Sequence, residues 1–462
     1  MYYKIKIMDF LEICDCNHTS KNTNAKNKQQ YGEVKTDFSL INKYFLDMIP
    51  EELFLNENLK WLDPGSGTGN FSICIFKRLM FSLKDKIPDI KKRKKHIITN
   101  MLFMVEINIE NIEILKNIFG ENANIYHHDY LTWDSNDNRF DIIIGNPPFN
   151  NDGFKKVPTN FKISKLNDGN TIWTSFVKHS FQLLEKKGYL SMIVPAIWLK
   201  PDKAKIYDLL TKYKIHKLKS FTNTQTNQLF HGQAQTPSSI FLLQNIPTDN
   251  KLFIYDENDK IHNYYLKKDS PIPIIGISVV NKLQKYIDDV GYINIIKTNL
   301  PAKHIEIYDK KKSESNLTNI TTCVLEKSNP KLVFNYSYVP CPYYNKPKLV
   351  LAHGMYGFPF LDAKGEYGIS NRDKYVIIDR SIEDLQKFKH FLSTKLAIYI
   401  FESTKYRMKY LEKYAFELLP DITKIKDFPE VIDDNSINLF FNLTENEIED
   451  INSLHKKSYG IL

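Results

Sequence analysis

From Tyr31 to about Asn245, short and largely apolar runs alternate with stretches whose apolar residues recur at helical spacing. Leu59–Asp63, Met101–Glu106, Ile125–His128, Asp141–Gly145 and Tyr189–Val194 read as strands, and Ile240–Gln244 as a closing strand. Phe71–Leu83, Ile109–Phe119 and Ile172–Leu184 read as the helices between them. Strands alternating with helices build a parallel sheet. The pattern predicts an α/β fold with a doubly wound, mostly parallel sheet.

Beyond Pro247 the texture changes. Strands around Leu349–His353 and Tyr375–Asp379 are joined by a turn-rich stretch holding Gly354, Gly357, Gly365 and Gly368. Ser381 stands three residues before Asp384, a capping signature for the helix that follows. Leu385, Phe388, Leu392 and Leu396 then recur at helical spacing and predict core. The expected organisation is a polar lead-in over 1–30, a first domain over 31–246, and a mixed α/β second domain over 247–462.

Composition narrows the setting. A chain of 462 residues exceeds one typical domain, and its 42% apolar and 13% aromatic content supports real cores. The net charge of +9 suits an acidic partner such as nucleic acid, although an AT-rich genome, which favours Lys, Ile and Asn, would give the same excess. Five cysteines without a paired framework fit a reducing, intracellular compartment, and Cys14 and Cys16 form a C-x-C with no second pair to complete a zinc site. Asp9 and Glu12 interrupt any apolar N-terminal core, and no apolar run reaches the ~20 residues that span a bilayer, so no membrane partner is expected.

Chemistry enters at Trp61-Leu62-Asp63-Pro64-Gly65-Ser66-Gly67-Thr68-Gly69-Asn70-Phe71. A strand ends in an acid, Gly65, Gly67 and Gly69 alternate, and a helix begins. Glycines let the backbone turn sharply and approach a ligand, and the helix N-terminus offers amide donors to a carboxylate. A nucleotide carrying an amino-acid moiety fits such a loop. The G-x-G-x-G spacing differs from the G-x-G-x-x-G of nicotinamide sites. Glu106, ending the next strand, is placed to accept from a ribose diol. Asp129 is placed to accept from an adenine amine, with Tyr130 packing on the ring. The basic segment Lys84 to Lys95, with the run Lys91-Lys92-Arg93-Lys94-Lys95, reads as a solvated loop or a phosphate contact. His127 and His128, as strand neighbours, point to opposite faces and make no metal pair.

The decisive motif is Asp141-Ile142-Ile143-Ile144-Gly145-Asn146-Pro147-Pro148-Phe149. The prolines fix the backbone and remove amide donors, leaving carbonyls as acceptors. The Asn146 side-chain oxygen and the Pro147 carbonyl are then able to accept from one amino group. That draws its nitrogen towards tetrahedral geometry and frees the lone pair for attack on a sulfonium methyl. Pro148 completes the rigid turn and Phe149 supplies a flat face for a base.

With these residues in order, the chain resembles the adenine-N6 DNA methyltransferases of type II and related restriction–modification systems. Tyr31-Gly32-Glu33-Val34-Lys35-Thr36 looks like the family motif before the cofactor loop, so the resemblance implies that Thr36 helps hold the methionine end. The family usually has Pro next; here it is Asp37. Gly188-Tyr189-Leu190-Ser191-Met192-Ile193-Val194-Pro195 and Phe230-His231-Gly232-Gln233-Ala234-Gln235-Thr236-Pro237 are also familiar, and the resemblance implies that Phe230 lies near a flipped base, where the sequence alone leaves it equally a core residue. The order is similar to the family's gamma arrangement. It implies S-adenosyl-L-methionine as cofactor, a class I fold, double-stranded DNA as substrate, a recognition role for 247–462, and a possible separate cognate restriction endonuclease.

A target amine inside a duplex has to be flipped out, and Lys155, Lys156, Lys162 and Lys165 after the motif are candidates for phosphate contact. RNA adenine and protein glutamine methyltransferases share the chemistry; the glutamine enzymes typically end the motif in Tyr, and the large second half favours DNA over RNA. An N4-cytosine enzyme would more often open it with Ser. A nuclease fusion finds only Glu33-Val34-Lys35 as an E-x-K, and Pro340-Cys341 lies far from the motif. Intact Asp63, glycines and Asn146 argue against a non-catalytic DNA-binding relative.

Overall fold

A computed structural model describes residues 27, 30–151, 170–314, 316–326, 329–352, 359–372, 374–407 and 411–453. Cys14, Cys16, Lys155, Lys156, Lys162, Lys165, His353, Gly354 and Gly357 lie outside the described residues. The chain divides into two compact units, Met1–Tyr255 and Asp256–Leu462.

In the first unit, α1 (Phe38–Tyr44) precedes β1 (Trp61–Pro64), α2 (Asn70–Ser82), α3 (Ile90–His96) and β2 (Leu102–Glu106). Next come α4 (Ile109–Phe119), β3 (Asn124–His127), β4 (Phe140–Gly145), and the two-residue strands β5 (Asn150–Asn151) and β6 (Asn170–Thr171). Then follow α5 (Trp173–Leu183), β7 (Leu184–Pro195), α6 (Ile206–Thr211), β8 (Tyr213–Phe221), α7 (Asn223–Leu229), β9 (Ser238–Pro247) and β10 (Lys251–Tyr255). The main sheet runs β10-β8-β9-β7-β4-β1-β2-β3. β1 lies parallel to both β2 and β4, β2 to β3, β4 to β7, and β8 to β10, whereas β9 runs antiparallel to β7 and β8. This is the doubly wound, mostly parallel α/β sheet expected.

Strand order reverses between β1, which leads outwards to β2 and β3, and β4, which leads the other way to β7. A sheet with helices on both faces leaves a crevice outside the carboxyl ends of its strands at such a point. Burial shows why these strands take central places. Every residue of β1 and β2 is buried. From α2, Phe71, Ile73, Ile75 and Leu79 enter the same core as Trp61, Leu102 and Ile142. Each such side chain contributes ~1.5–3 kcal/mol on leaving water. Phe45 meets Phe71 edge-on at 4.8 Å, and Phe54 stacks on Trp61 at 4.8 Å.

Two expectations are corrected. The basic segment is not a loop: Asp89 caps α3 by accepting from the Lys92 amide. Arg93 turns inwards and donates to the carbonyls of Ile87 at 2.7 Å and Lys84 at 3.4 Å. It precedes β2, so it lies at the amino edge of the sheet, opposite the crevice. The first unit also extends past 246, because β10 pairs in parallel with β8, Phe253 opposite Lys217.

The second unit opens with β11 (Ile261–Tyr265), α8 (Ile277–Val290) and β12 (Ile296–Lys297). A long hairpin follows, β13 (Leu317–Glu326) and β14 (Asn329–Ser337), then β15 (Lys348–Ala352), β16 (Phe360–Asp362), β17 (Gly368–Ile369) and β18 (Lys374–Ile377). β12-β18-β15-β16 form an antiparallel sheet, and β14-β13-β17 a smaller one. Helices α9 (Ile382–Phe391) and α10 (Lys395–Ser403) follow and bury residues in this unit. Ser381 accepts from the Asp384 amide at 3.0 Å, and Leu385, Phe388, Leu392 and Leu396 are buried, as the pattern predicts. Lys348 and Asp362 form a fully buried ion pair at 2.5 Å.

Candidate active site

The glycine loop hangs from the end of β1 over the end of β2. The amides of Gly65 and Ser66 both donate to the Val105 carbonyl, at 2.9 and 3.0 Å, and the Ser66 hydroxyl donates to the Asp63 carbonyl at 2.9 Å. The three glycines have different reasons. A Cβ on Gly69, at φ +91°, would come within 2.8 Å of Leu115, so this glycine lets α2 close on α4. Gly67, at φ +53°, has open space where a Cβ would stand, which leaves its backbone approachable by a ligand. Gly65 sits at φ +88°, with Phe176 at 3.7 Å.

Three carboxyl groups converge behind the loop. Glu106 accepts from the Gly67 amide at 2.7 Å on one oxygen and from the Asn108 amide at 2.8 Å on the other. The oxygen facing Gly67 keeps a second lone pair for a further donor, whereas the other also accepts from Asn111. Burial pushes its carboxyl upwards, and the two amides oppose that. Burial also pushes Asp63 up, to about 7, against the pull of the Ser72 hydroxyl at 2.6 Å and with a further push from Glu106. Glu33 is raised by burial too, and Asn111 reaches from it at 3.4 Å to Glu106 at 3.5 Å. Such an arrangement favours a cationic ligand.

The Asn-Pro-Pro-Phe segment leaves β4 directly beside this loop. A Cβ on Gly145 would meet Pro64 at 3.2 Å and an Asp63 oxygen at 3.3 Å. Asn146 donates through its side-chain amide to the Thr36 hydroxyl at 3.0 Å and to the Val34 carbonyl at 3.3 Å. A carbonyl only accepts, so the group facing Val34 is the NH₂ and Oδ1 faces away. Pro147 is buried, and Pro148 and Phe149 are half-buried. The Phe149 carbonyl accepts from Ile172 at 3.3 Å, and β5 pairs with β6, so the far end of the motif is anchored.

Residues 32–36 lie across the motif. Gly32, at φ +70°, passes so close that a Cβ would stand 1.9 Å from the Asn150 carbonyl oxygen and 3.0 Å from Pro148. Thr36 is buried, and its carbonyl accepts from Asn70, the first residue of α2, at 2.8 Å. Asp37 pairs with His231 at 2.9 Å. Thr36, Asp63, Gly65, Gly67, Gly69, Glu106 and Asn146 to Phe149 therefore meet at one end of the sheet. Asp129 follows β3 at the same end, where the His128 amide donates to the Glu106 carbonyl at 3.0 Å, and its side chain accepts from Leu131 at 3.0 Å.

Tyr130 does not present a ring face. It is 2% exposed, tilts against Phe176 with centroids 5.1 Å apart, and bonds its hydroxyl to the buried Ser180 at 2.8 Å. Phe230 is likewise 2% exposed and packs in the core with Phe221 and Ile240. Sequence reasoning missed Ile107, and reached Gly32 and Glu33 only as members of the motif before the cofactor loop. Ile107 is 43% exposed immediately after Glu106, and an apolar residue following a strand-end acid was its signal. Among the described residues, no cluster of His, Cys, Asp or Glu is arranged to hold a metal, and no helix is long and apolar enough to cross a membrane.

Residues 70–230 match the model of the Eco57I restriction-modification methylase family. A Type II methyltransferase, M.CvrRI, from a Paramecium bursaria Chlorella virus is 30% identical over 32% of this chain and 33% of its own length. An uncharacterized adenine-specific methylase from Mycoplasma pneumoniae is 26% identical over 40% of this chain and 60% of its own. The chain thus spans between one third and three fifths of these curated relatives. Among solved structures, the Type IIL restriction-modification enzyme MmeI, in complex with DNA, aligns over 86% of this chain and 69% of its own at 13% identity, with a TM-score of 0.45.

Proposed function

We propose that this protein transfers a methyl group from S-adenosyl-L-methionine to the N6 amine of an adenine flipped out of double-stranded DNA. The observation that carries the reading is the Asn146 carboxamide, whose NH₂ is bound by Thr36 and Val34 and whose oxygen is thereby committed to accepting. The matched family and the relatives' descriptions as adenine-specific and Type II methylases support it.

The residues fit the cofactor. The open side of Gly67 admits a ligand at the loop, Glu106 retains acceptor capacity for a ribose diol, and the Asp63, Glu33 and Glu106 carboxyls suit a ligand with a sulfonium and an ammonium group. When bound, S-adenosyl-L-methionine supplies an electrophilic methyl. In place of Tyr130, exposed Ile107 supplies the apolar surface for its adenine, with Asp129 beside it as acceptor.

The chain's own work lies on the acceptor side. Asn146 Oδ1 and the Pro147 carbonyl accept the two protons of the adenine amine, which localises its lone pair for attack, and Phe149 stacks on the base. Held so, the nitrogen lone pair would face the electrophilic methyl that the bound cofactor would supply. One amine proton, made acidic by alkylation, would then pass to solvent water. Residues 256–462 form the unit we assign to reading the DNA site, and a separate endonuclease, from which the modified site would be protected, is the implied partner. Asn146→Ala tests the mechanism: transfer is expected to vanish while cofactor affinity stays within about two-fold of wild type. Full transfer by that variant would sink it.

A further inference from the structure

We propose that Thr36 is a positioning residue for Asn146, whose hydroxyl, together with the Val34 carbonyl, locks the carboxamide in the orientation that accepts from the target amine. The inference rests on the methyl-transfer reading and gives Thr36 an acceptor-side role, beyond the cofactor role that its motif implies. A free Asn side chain presents donor and acceptor ends that interchange by a 180° rotation, and the flipped rotamer would direct NH₂ at NH₂. Two acceptors stand on one side of Asn146, Thr36 Oγ1 at 3.0 Å and Val34 O at 3.3 Å. The Val34 carbonyl has no proton to give, so a flipped amide would oppose oxygen to oxygen there. The lock is itself held. Thr36 is 3% exposed, and its carbonyl accepts from Asn70 at 2.8 Å. Asn70 is the residue with which α2 leaves the glycine loop. Cofactor loop and acceptor motif are thus joined through one threonine, 110 positions before Asn146 in sequence.

Thr36→Val keeps the shape and removes the hydroxyl acceptor; Thr36→Ser keeps the hydroxyl. With cofactor and DNA both saturating, the single-turnover rate of Thr36→Val is expected to fall about ten-fold, one neutral hydrogen bond converted at 1.4 kcal/mol per decade. Thr36→Ser is expected to recover most of that loss. A structural defect would appear in the melting temperature of both variants, and a purely cofactor-binding role would raise the cofactor Kd while leaving the saturated rate unchanged; either result overturns the proposal. A second measurement needs no substrate. In protein labelled with ¹⁵N-asparagine, the Asn146 side-chain amide protons, identified by their loss in Asn146→Ala, are expected to exchange slowly in wild type and Thr36→Ser and faster in Thr36→Val. Equal exchange in all three overturns the lock. An inert wild type that still shows the exchange difference instead overturns the methyl-transfer reading alone.

Discussion

Gly32→Ala is the substitution with the most to reveal, because nothing about Gly32 touches the reaction directly. At φ +70° the residue is in the left-handed region, where an L side chain costs ~1–2 kcal/mol. The added Cβ would also stand 1.9 Å from the Asn150 carbonyl oxygen, against the ~3.5 Å at which such atoms rest. One of the two backbones therefore moves by about 1.6 Å, the difference between those separations. If the Phe149–Asn150 side yields, the Asn-Pro-Pro-Phe segment leaves its place. If the 32–36 side yields, Thr36 and Val34 draw away from Asn146. Both routes misplace the carboxamide, and a shift near 1 Å in a reacting group is worth about 10²-fold in rate. The assay is single-turnover methyl transfer at saturating cofactor, with thermal melting to show that the variant is folded. A folded Gly32→Ala within two-fold of the wild-type rate would refute the claim that this crossing positions the motif.

Further outcomes follow from burial. Phe230→Leu is expected to cost ~1 kcal/mol of stability and to leave turnover within about two-fold, because Phe230 fills core; a large loss of turnover at unchanged stability would put it at the base instead. Asp63, raised to about 7 by burial, holds its proton in the folded chain after the unfolded chain has released it. Its contribution to stability is therefore full below about pH 4 and lost as the pH rises to about 7, and Asp63→Asn should flatten that part of the stability–pH curve; parallel curves would contradict it. Lys348→Met leaves Asp362 buried without its cation and should destabilise the chain by ~3–5 kcal/mol in chemical denaturation, whereas a change under ~1 kcal/mol would show that the amides of Glu366 and Tyr367 suffice for that carboxylate.

The elements that position the site were legible because their physics is local. β1, β2 and β4 are covered on both faces, so they read as apolar runs, and glycines and prolines marked their ends. What sequence hid was decided at a distance. The run Lys91 to Lys95 looks like solvated chain, yet it forms a helix whose inward residue is an arginine satisfied by carbonyls upstream. Lys214, Lys217 and Lys219 break the apolar pattern of β8, which hides that strand and, with it, its partner β10 and the extent of the first unit. Position alone points Tyr130 at the cofactor, whereas Phe176, His179 and Ser180, which pack against it, come from a helix some fifty residues later. The motif residues themselves were readable, but their partners were not. Nothing in the spacing of Thr36 and Asn146 announces a hydrogen bond between them.

Transfer of labelled methyl from S-adenosyl-L-methionine, offered in parallel to duplex DNA, RNA and protein and followed by digestion of the products, tests the central claim most directly. The account predicts label in DNA, recovered as N6-methyladenine. Label in RNA, in glutamine or in another DNA base would contradict it, as would no transfer to any of the three.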